Sequence, residues 1–195
     1  MYEGLEKATG RHVAIKVISL RNTMNDKQFT SGVDKSVSRE VSIMTQMRHL
    51  CCLPILDYME DAKDEKKYIV LELATGGDLF EFVRSKGSLS NDEAATAFCQ
   101  LLCAVKYLHS AGIIHRDLKP ENALLCKDPV SKQTIIKVAD FGLAKILNSS
   151  SMMMKTLCGT TEYIAPEIIA TANFCMMGYT GACDCWSLGV LLYFL

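Results

Sequence analysis

Three side chains with hard oxygen donors, Asp117, Asn122 and Asp140, stand in a fixed order on stretches that read as loops. Asp117 and Asn122 belong to the string His115-Arg116-Asp117-Leu118-Lys119-Pro120-Glu121-Asn122. Asp140-Phe141-Gly142 opens eighteen residues after Asn122, and Ala165-Pro166-Glu167 follows. A carboxylate that can accept a proton, joined by an amide and a second carboxylate that can bind a hard cation, can align a hydroxyl, a phosphoryl group and magnesium. Any one of these short strings is weak, because an Asp-Phe-Gly triplet arises by chance in many chains. Their order and spacing together carry the argument.

Such groups need rigid elements to aim them. Tyr2 to Leu5 and His12 to Ile18 read as two strands around a turn at Ala8-Thr9-Gly10, with Ala14 and Lys16 on one face of the second. Residues 21 to 36, rich in Asn, Asp, Ser, Thr and Lys, read as a mobile surface connection. Val37, Val41, Met44 and Met47 then recur at helical spacing, which predicts a helix from Ser36 to Arg48 with Glu40 at the edge of its apolar stripe. Leu53 to Met59 and Tyr68 to Leu73 read as two more strands around a charged turn at Glu60 to Lys67. Glu72-Leu73-Ala74-Thr75-Gly76-Gly77-Asp78 reads as a hinge. Ser90 and Glu93 form a capping box for a long apolar helix that stops at Gly112, and this helix scaffolds the loop carrying Asp117.

With 195 residues, 49% of them hydrophobic, 22% charged, a net charge of −1 and a pI near 6.4, the chain reads as an ordinary globular protein. Lys and Arg are scattered and form no footprint for nucleic acid. The apolar run Ser187 to Leu195 is too short to span a bilayer, and no secretory pattern opens the chain, so the expectation is an intracellular protein of nucleus or cytoplasm, with no membrane partner. Nine cysteines, an odd number without a C-x-x-C pair, read as reduced thiols, mostly small core residues.

His115 to Asn122 matches the pattern H-R-D-L-x-x-x-N at each specified position, and the two later motifs follow in order, so the chain resembles a protein kinase from Tyr2 to Leu195. The resemblance implies an α+β, two-lobed fold: a small antiparallel-sheet N-lobe with one helix over 1–75, and a mainly helical C-lobe over 76–195. A glycine-rich loop before Tyr2 and helices after Leu195 are expected to be missing, which makes the domain incomplete at both termini.

The resemblance also implies ATP and Mg²⁺ as cofactors and assigns roles. Asp117 accepts the proton of the incoming hydroxyl, Lys119 neutralises the transferring group, and Thr160 completes the acceptor side. Asn122 and Asp140 bind metal. Lys16, in Val13-Ala14-Ile15-Lys16, pairs the nucleotide phosphates and is held by Glu40. Ala14, Leu71 and Leu124 belong to the nucleotide pocket, with Leu71 at its back. The main chain of Glu72 and Ala74 holds the adenine edge, and Asp78 approaches the ribose. His115 is a packed support in a column with Phe141, Met44 and Ile55, and Asp184 holds the catalytic loop from below. Arg116 is placed to capture a phosphate on the downstream loop, with Thr156 the candidate for modification in trans, through a transient dimer.

Lys119 within Asp117-Leu118-Lys119-Pro120-Glu121-Asn122 implies serine/threonine rather than tyrosine specificity. Gly76-Gly77-Asp78-Leu79-Phe80, Lys155 to Thr160 and Asp184-Cys185-Trp186-Ser187-Leu188-Gly189-Val190 resemble the calmodulin-dependent-kinase group, most of all the checkpoint kinases that carry a forkhead-associated domain. That group favours substrates with an arginine three residues before the acceptor, which Asp78, Glu81 and Glu121 could read. Thr161 departs from the proline usual there. The alternative is a truncated or pseudokinase-like fragment that acts as a non-catalytic binding module.

Overall fold

The computed structural model describes residues 1–20, 27–128, 133–146, 159–169 and 180–195, with the main chain alone over 27–31. Alternation builds the first layer. In β4, Lys66–Glu72, every second residue is buried, which sets Lys67, Ile69 and Leu71 on one face. It lies between β2 (His12–Ser19) and β3 (Ile55–Asp61), and β1 (Tyr2–Leu5) flanks β2, giving an antiparallel sheet in the order β1-β2-β4-β3. The register sets Ala14 opposite Leu71, Lys16 opposite Ile69, and Ile18 opposite Lys67. The charged turn is shorter than the sequence predicts, because Glu60 and Lys67 pair across the strands and extend them.

Helix α1 covers Lys27–Gln46, so it starts nine residues before the predicted Ser36. Its first half is polar and lacks the apolar periodicity that would mark it. There Asp34 pairs with Lys67 of β4, and the Ser36 hydroxyl donates to Gly142 O at 3.4 Å. Tertiary partners thus reward the helical state of a segment whose composition reads as a connection. Its second half buries Val37, Ile43 and Met44, and Met47 is buried just beyond its end.

After β4 the chain crosses at Gly76, whose N–H donates to Leu125 O at 2.9 Å. A Cβ at Gly76 would stand 2.7 Å from that same oxygen, so only glycine allows this approach. Asp78 then caps the short helix α2 (Leu79–Lys86) by accepting from Glu81 N–H at 2.8 Å. Helix α3 (Asn91–Ser110) opens with the reciprocal Ser90–Glu93 capping box and ends before Gly112, which takes φ +70°. Its buried face is Ala97, Leu101, Ala104, Val105 and Leu108.

Two short ladders and one helix complete the second layer. β5 (Ile113–Ile114) pairs with β8 (Lys145–Ile146), and β6 (Ala123–Lys127) with β7 (Thr134–Val138). Helix α4 (Ala182–Phe194) buries Cys183, Asp184, Ser187, Leu188 and Leu191. One continuous apolar core includes Ile43 and Met44 of α1, Ile69 of β4, Leu101 and Leu108 of α3, Phe141, and Leu191 of α4. The architecture is a mixed α+β arrangement of an antiparallel sheet with α1 followed by a largely helical portion. No helix among the described residues is long and apolar enough to cross a membrane. Among the described cysteines, Cys51, Cys52, Cys126 and Cys183 are buried, while Cys99, Cys103 and Cys185 are exposed at the surfaces of α3 and α4.

Candidate active site

Asp117 sits at the centre of a hydrogen-bonded cluster. Its Oδ1 accepts from the Thr160 amide at 2.9 Å and from the Thr160 hydroxyl at 2.7 Å. The Asn122 amide donates to Asp117 O at 2.8 Å and to Asp117 Oδ2 at 3.0 Å. Lys119 Nζ donates to Thr160 Oγ1 at 2.8 Å and lies 3.4 Å from Asp117 Oδ2. Burial pushes the Asp117 carboxyl up, but the Thr160 hydrogen bond, the Lys119 charge and the Asn122 amide outweigh it and hold its pKa below the ordinary value.

A second cluster forms between sheet and helix. Lys16 Nζ meets Glu40 Oε1 at 2.7 Å and Asp140 Oδ1 at 3.3 Å. The Glu40 side chain is 7% exposed and that of Asp140 53%. Burial alone would lower the Lys16 pKa, yet the charge of Glu40 and its hydrogen bond, followed by Asp140, raise it. Lys16 is therefore held between an enclosed Glu40 and an Asp140 that is open to solvent.

The two clusters meet at a cavity of about 220 Å³ lined by Lys16, Glu40, Leu71, Asn122, Leu124 and Asp140 among others. Asn122 connects them, since it lines the cavity and also holds Asp117. Asp117, Lys119 and Thr160 lie beside this cavity rather than in its lining. Ala14, Glu72, Ala74 and Asp78 are not in its lining either. Ala14 and Ala74 pack against the apolar core. The Asp78 carboxylate caps α2, and the Glu72 carboxylate takes Lys137 Nζ of β7 at 2.6 Å. Leu53 and Ala139 also line the cavity and were missed from the sequence, although Ala139 directly precedes Asp140 and its position was a usable signal.

Buried supports hold the loop that carries Asp117. Asp184 is fully buried on α4; its Oδ2 accepts from His115 N–H at 2.9 Å and Oδ1 from Arg116 N–H at 2.9 Å. His109 Nε2 lies 2.8 Å from Asp184 Oδ2. His115 is also fully buried: Nδ1 accepts from Asp117 N–H at 3.3 Å, so Nε2 carries the proton and donates to Ala139 O at 3.0 Å. Its ring meets Phe141 edge to face at 5.0 Å, while Met44 and Phe141 are buried in the common core. Arg116 and Asp140 hold φ values of +71° and +58°, a conformation that costs free energy for residues with a Cβ and gathers at functional sites. Arg116 Nε donates to Leu143 O at 2.6 Å. Gly159, at φ +113°, lets the chain pass Arg116 O, which a Cβ there would meet at 2.8 Å. Thr156 lies outside the described residues.

The donor set fits a hard divalent cation. Asn122 has its amide nitrogen committed to Asp117, which leaves the amide oxygen as its ligand atom, and Asp140 adds a carboxylate open to solvent. Among the described residues there is no group of three or more His, Cys, Asp or Glu side chains that could hold a metal by themselves. Two oxygen ligands suit magnesium, which keeps waters and takes further oxygens from phosphates.

Comparison with known proteins agrees with this geometry. A family model described as the protein kinase domain matches residues 1–195. A probable serine/threonine-protein kinase of Dictyostelium discoideum, fhkD, is 43% identical over 202 residues, covering 98% of this chain and 25% of its own length. The CBL-interacting serine/threonine-protein kinase 8 of Arabidopsis thaliana is 42% identical, covering 96% of this chain and 38% of that protein. The serine/threonine-protein kinase RAD53 of Saccharomyces cerevisiae is 36% identical, covering 98% of this chain and 23% of that protein. The chain thus spans well under half the length of these relatives. With the family's own pattern matched along its whole length and the Lys16–Glu40 and Asp117–Asn122 clusters meeting at one cavity, the chain belongs to the protein kinase domain family.

Proposed function

We propose that this chain transfers the γ-phosphate of ATP to serine or threonine hydroxyls of protein substrates, with magnesium. The observation that carries this reading is the Asp117 carboxylate, held by Thr160 and Asn122 beside Lys119, next to the cavity where Lys16 and Asp140 meet.

Asp117 accepts the hydroxyl proton and orients the nucleophile; the Thr160 bonds fix the carboxylate plane. Lys119, already shared between Thr160 and Asp117, lies where it offsets charge on the transferring group. Lys16, steadied by Glu40, pairs with nucleotide phosphates. Leu71, Leu124 and Ala14 give the adenine an apolar surround, with the main chain of Glu72 and Ala74 along its edge and Asp78 toward the ribose. Asn122 and Asp140 hold magnesium, which when bound neutralises phosphate charge and fixes its oxygens. Because phosphoryl transfer asks the protein for little covalent work, this positioning does most of the catalysis. In this reading the chain divides into an N-lobe over 1–75 and a C-lobe over 76–195, with the cavity between them.

A role in checkpoint or stress signalling, on substrates with an arginine three residues before the acceptor, rests on the subgroup resemblance. The test of the chemistry is Asp140→Asn. It is expected to cut turnover by about 10²- to 10³-fold and to raise the magnesium concentration needed for half-maximal rate. Undiminished turnover at saturating magnesium would remove Asp140 from the mechanism.

A further inference from the structure

Lys67 is nearly as buried as a core leucine, its side chain 6% exposed, and it takes no part in the site just described. It projects from β4 on the same face of the sheet as Lys16, because Lys67 pairs with Ile18 and Lys16 with Ile69. Its ammonium meets Asp34 Oδ1 of α1 at 2.5 Å and Glu60 Oε1 of β3 at 3.0 Å. It also lies 5.8 Å from the centre of the Tyr58 ring, whose hydroxyl donates to Glu60 at 2.5 Å.

The two lysines are therefore offset by two residues along paired strands, about 7 Å. Glu40 and Asp34 are six residues apart on α1, about 9 Å along its axis. Sheet and helix are joined by two charge rungs of similar spacing. One ion pair fixes a point on the helix and leaves its direction free; a second fixes the direction. The first half of α1 needs that second point. The buried apolar residues of α1 are Val37, Ile43 and Met44, and around Asp34 the described contact with the core is the partly buried Val33. If α1 swung away, Lys67 would lose one of its two carboxylates while still largely removed from water, and that penalty opposes the motion.

We propose that Lys67 and Asp34 form a second clamp that seats α1 and so delivers Glu40 to Lys16, which makes Lys67 a positioning residue for phosphoryl transfer. The inference rests on the function proposed above. Glu60 supplies the control, since it meets the same ammonium from β3 whereas Asp34 meets it from α1.

The experiment combines hydrogen exchange with kinetics on the intact protein. Asp34→Asn is expected to speed amide exchange across residues 27–46 while leaving residues 91–110 unchanged, and to lower kcat roughly 2- to 30-fold. Glu60→Gln is expected to do neither. In a Glu40→Gln background, Asp34→Asn should change kcat by less than about twofold, because no pair remains to be delivered. A role in general stability alone would give the same loss in both backgrounds, and that result overturns the proposal. Unchanged exchange over 27–46 in Asp34→Asn overturns it too. Asp34 is half-exposed, so this variant avoids the folding defect that Lys67→Met risks. If the unmutated protein transfers no phosphate, the proposed function fails, while the exchange measurement still decides the clamp.

Discussion

At the scale of single residues, Asp117 and Lys16 are tuned in opposite directions by their neighbours. Asp117, with its pKa lowered despite burial, stays ionised at neutral pH and is a weak base, suited to orienting a hydroxyl more than to removing its proton early. Its interactions are present above the unfolded pKa and are lost as pH falls through the lower folded value. Lys16, with its pKa raised, contributes fully below the unfolded value and loses its pairing only as pH rises through the higher folded one. Neither group titrates between about pH 6 and about pH 9, so a rate change in that window belongs to other groups. Asp117→Asn is expected to lower kcat by about 10²- to 10⁴-fold with nucleotide affinity unchanged. Lys16→Met should match it in turnover but bind ATP more weakly. Equal ATP affinities in the two variants, measured by nucleotide titration, would contradict the division of labour.

At the scale of elements, the loop from Ile114 to Asn122 is fixed from beneath by α4. Asp184 converts two backbone N–H groups and the His109 ring into one anchored unit inside the protein, and Arg116 tolerates a positive φ because that unit holds it. Removing the carboxylate leaves the buried N–H groups of His115 and Arg116 without acceptors, at about 1–3 kcal/mol each. Asp184→Ala is therefore expected to destabilise the fold by about 3 kcal/mol or more in urea denaturation. Asp184→Asn retains one acceptor oxygen and should lose less. Equal stability of the two variants would show that the anchor is not hydrogen bonding.

Across the whole molecule, the sheet and the helices share one core, and Phe141 lies within it, fully buried against His115. A common core predicts a common transition. Fluorescence of the single tryptophan, Trp186 on α4, should give the same denaturation midpoint as far-ultraviolet circular dichroism. Phe141→Ala opens a cavity between the two layers and is expected to cost about 3–5 kcal/mol. In that variant the two curves should separate, because the sheet with α1 loses its packing against the rest. Coincident curves would mean that other contacts suffice to couple the layers.

The sequence by itself determined what is written within a few residues. The string from His115 to Asn122, the triplet at Asp140 and the Ser90–Glu93 cap each depend on spacings of two to seven, which a sequence displays directly, and the cap is realised by local geometry alone. It also indicated Lys16 and Glu40, since a strand face and a helix stripe mark where each must point. The tertiary structure alone decided the rest. It extended α1 back to Lys27, because Lys67 and Gly142 reward polar turns that carry no apolar period. It gave the Glu72 carboxylate to Lys137, sixty-five residues away, and the Asp78 carboxylate to the start of α2. Charged side chains choose partners by where packed elements bring them, and a buried ion pair between distant strands leaves no period in the chain to read.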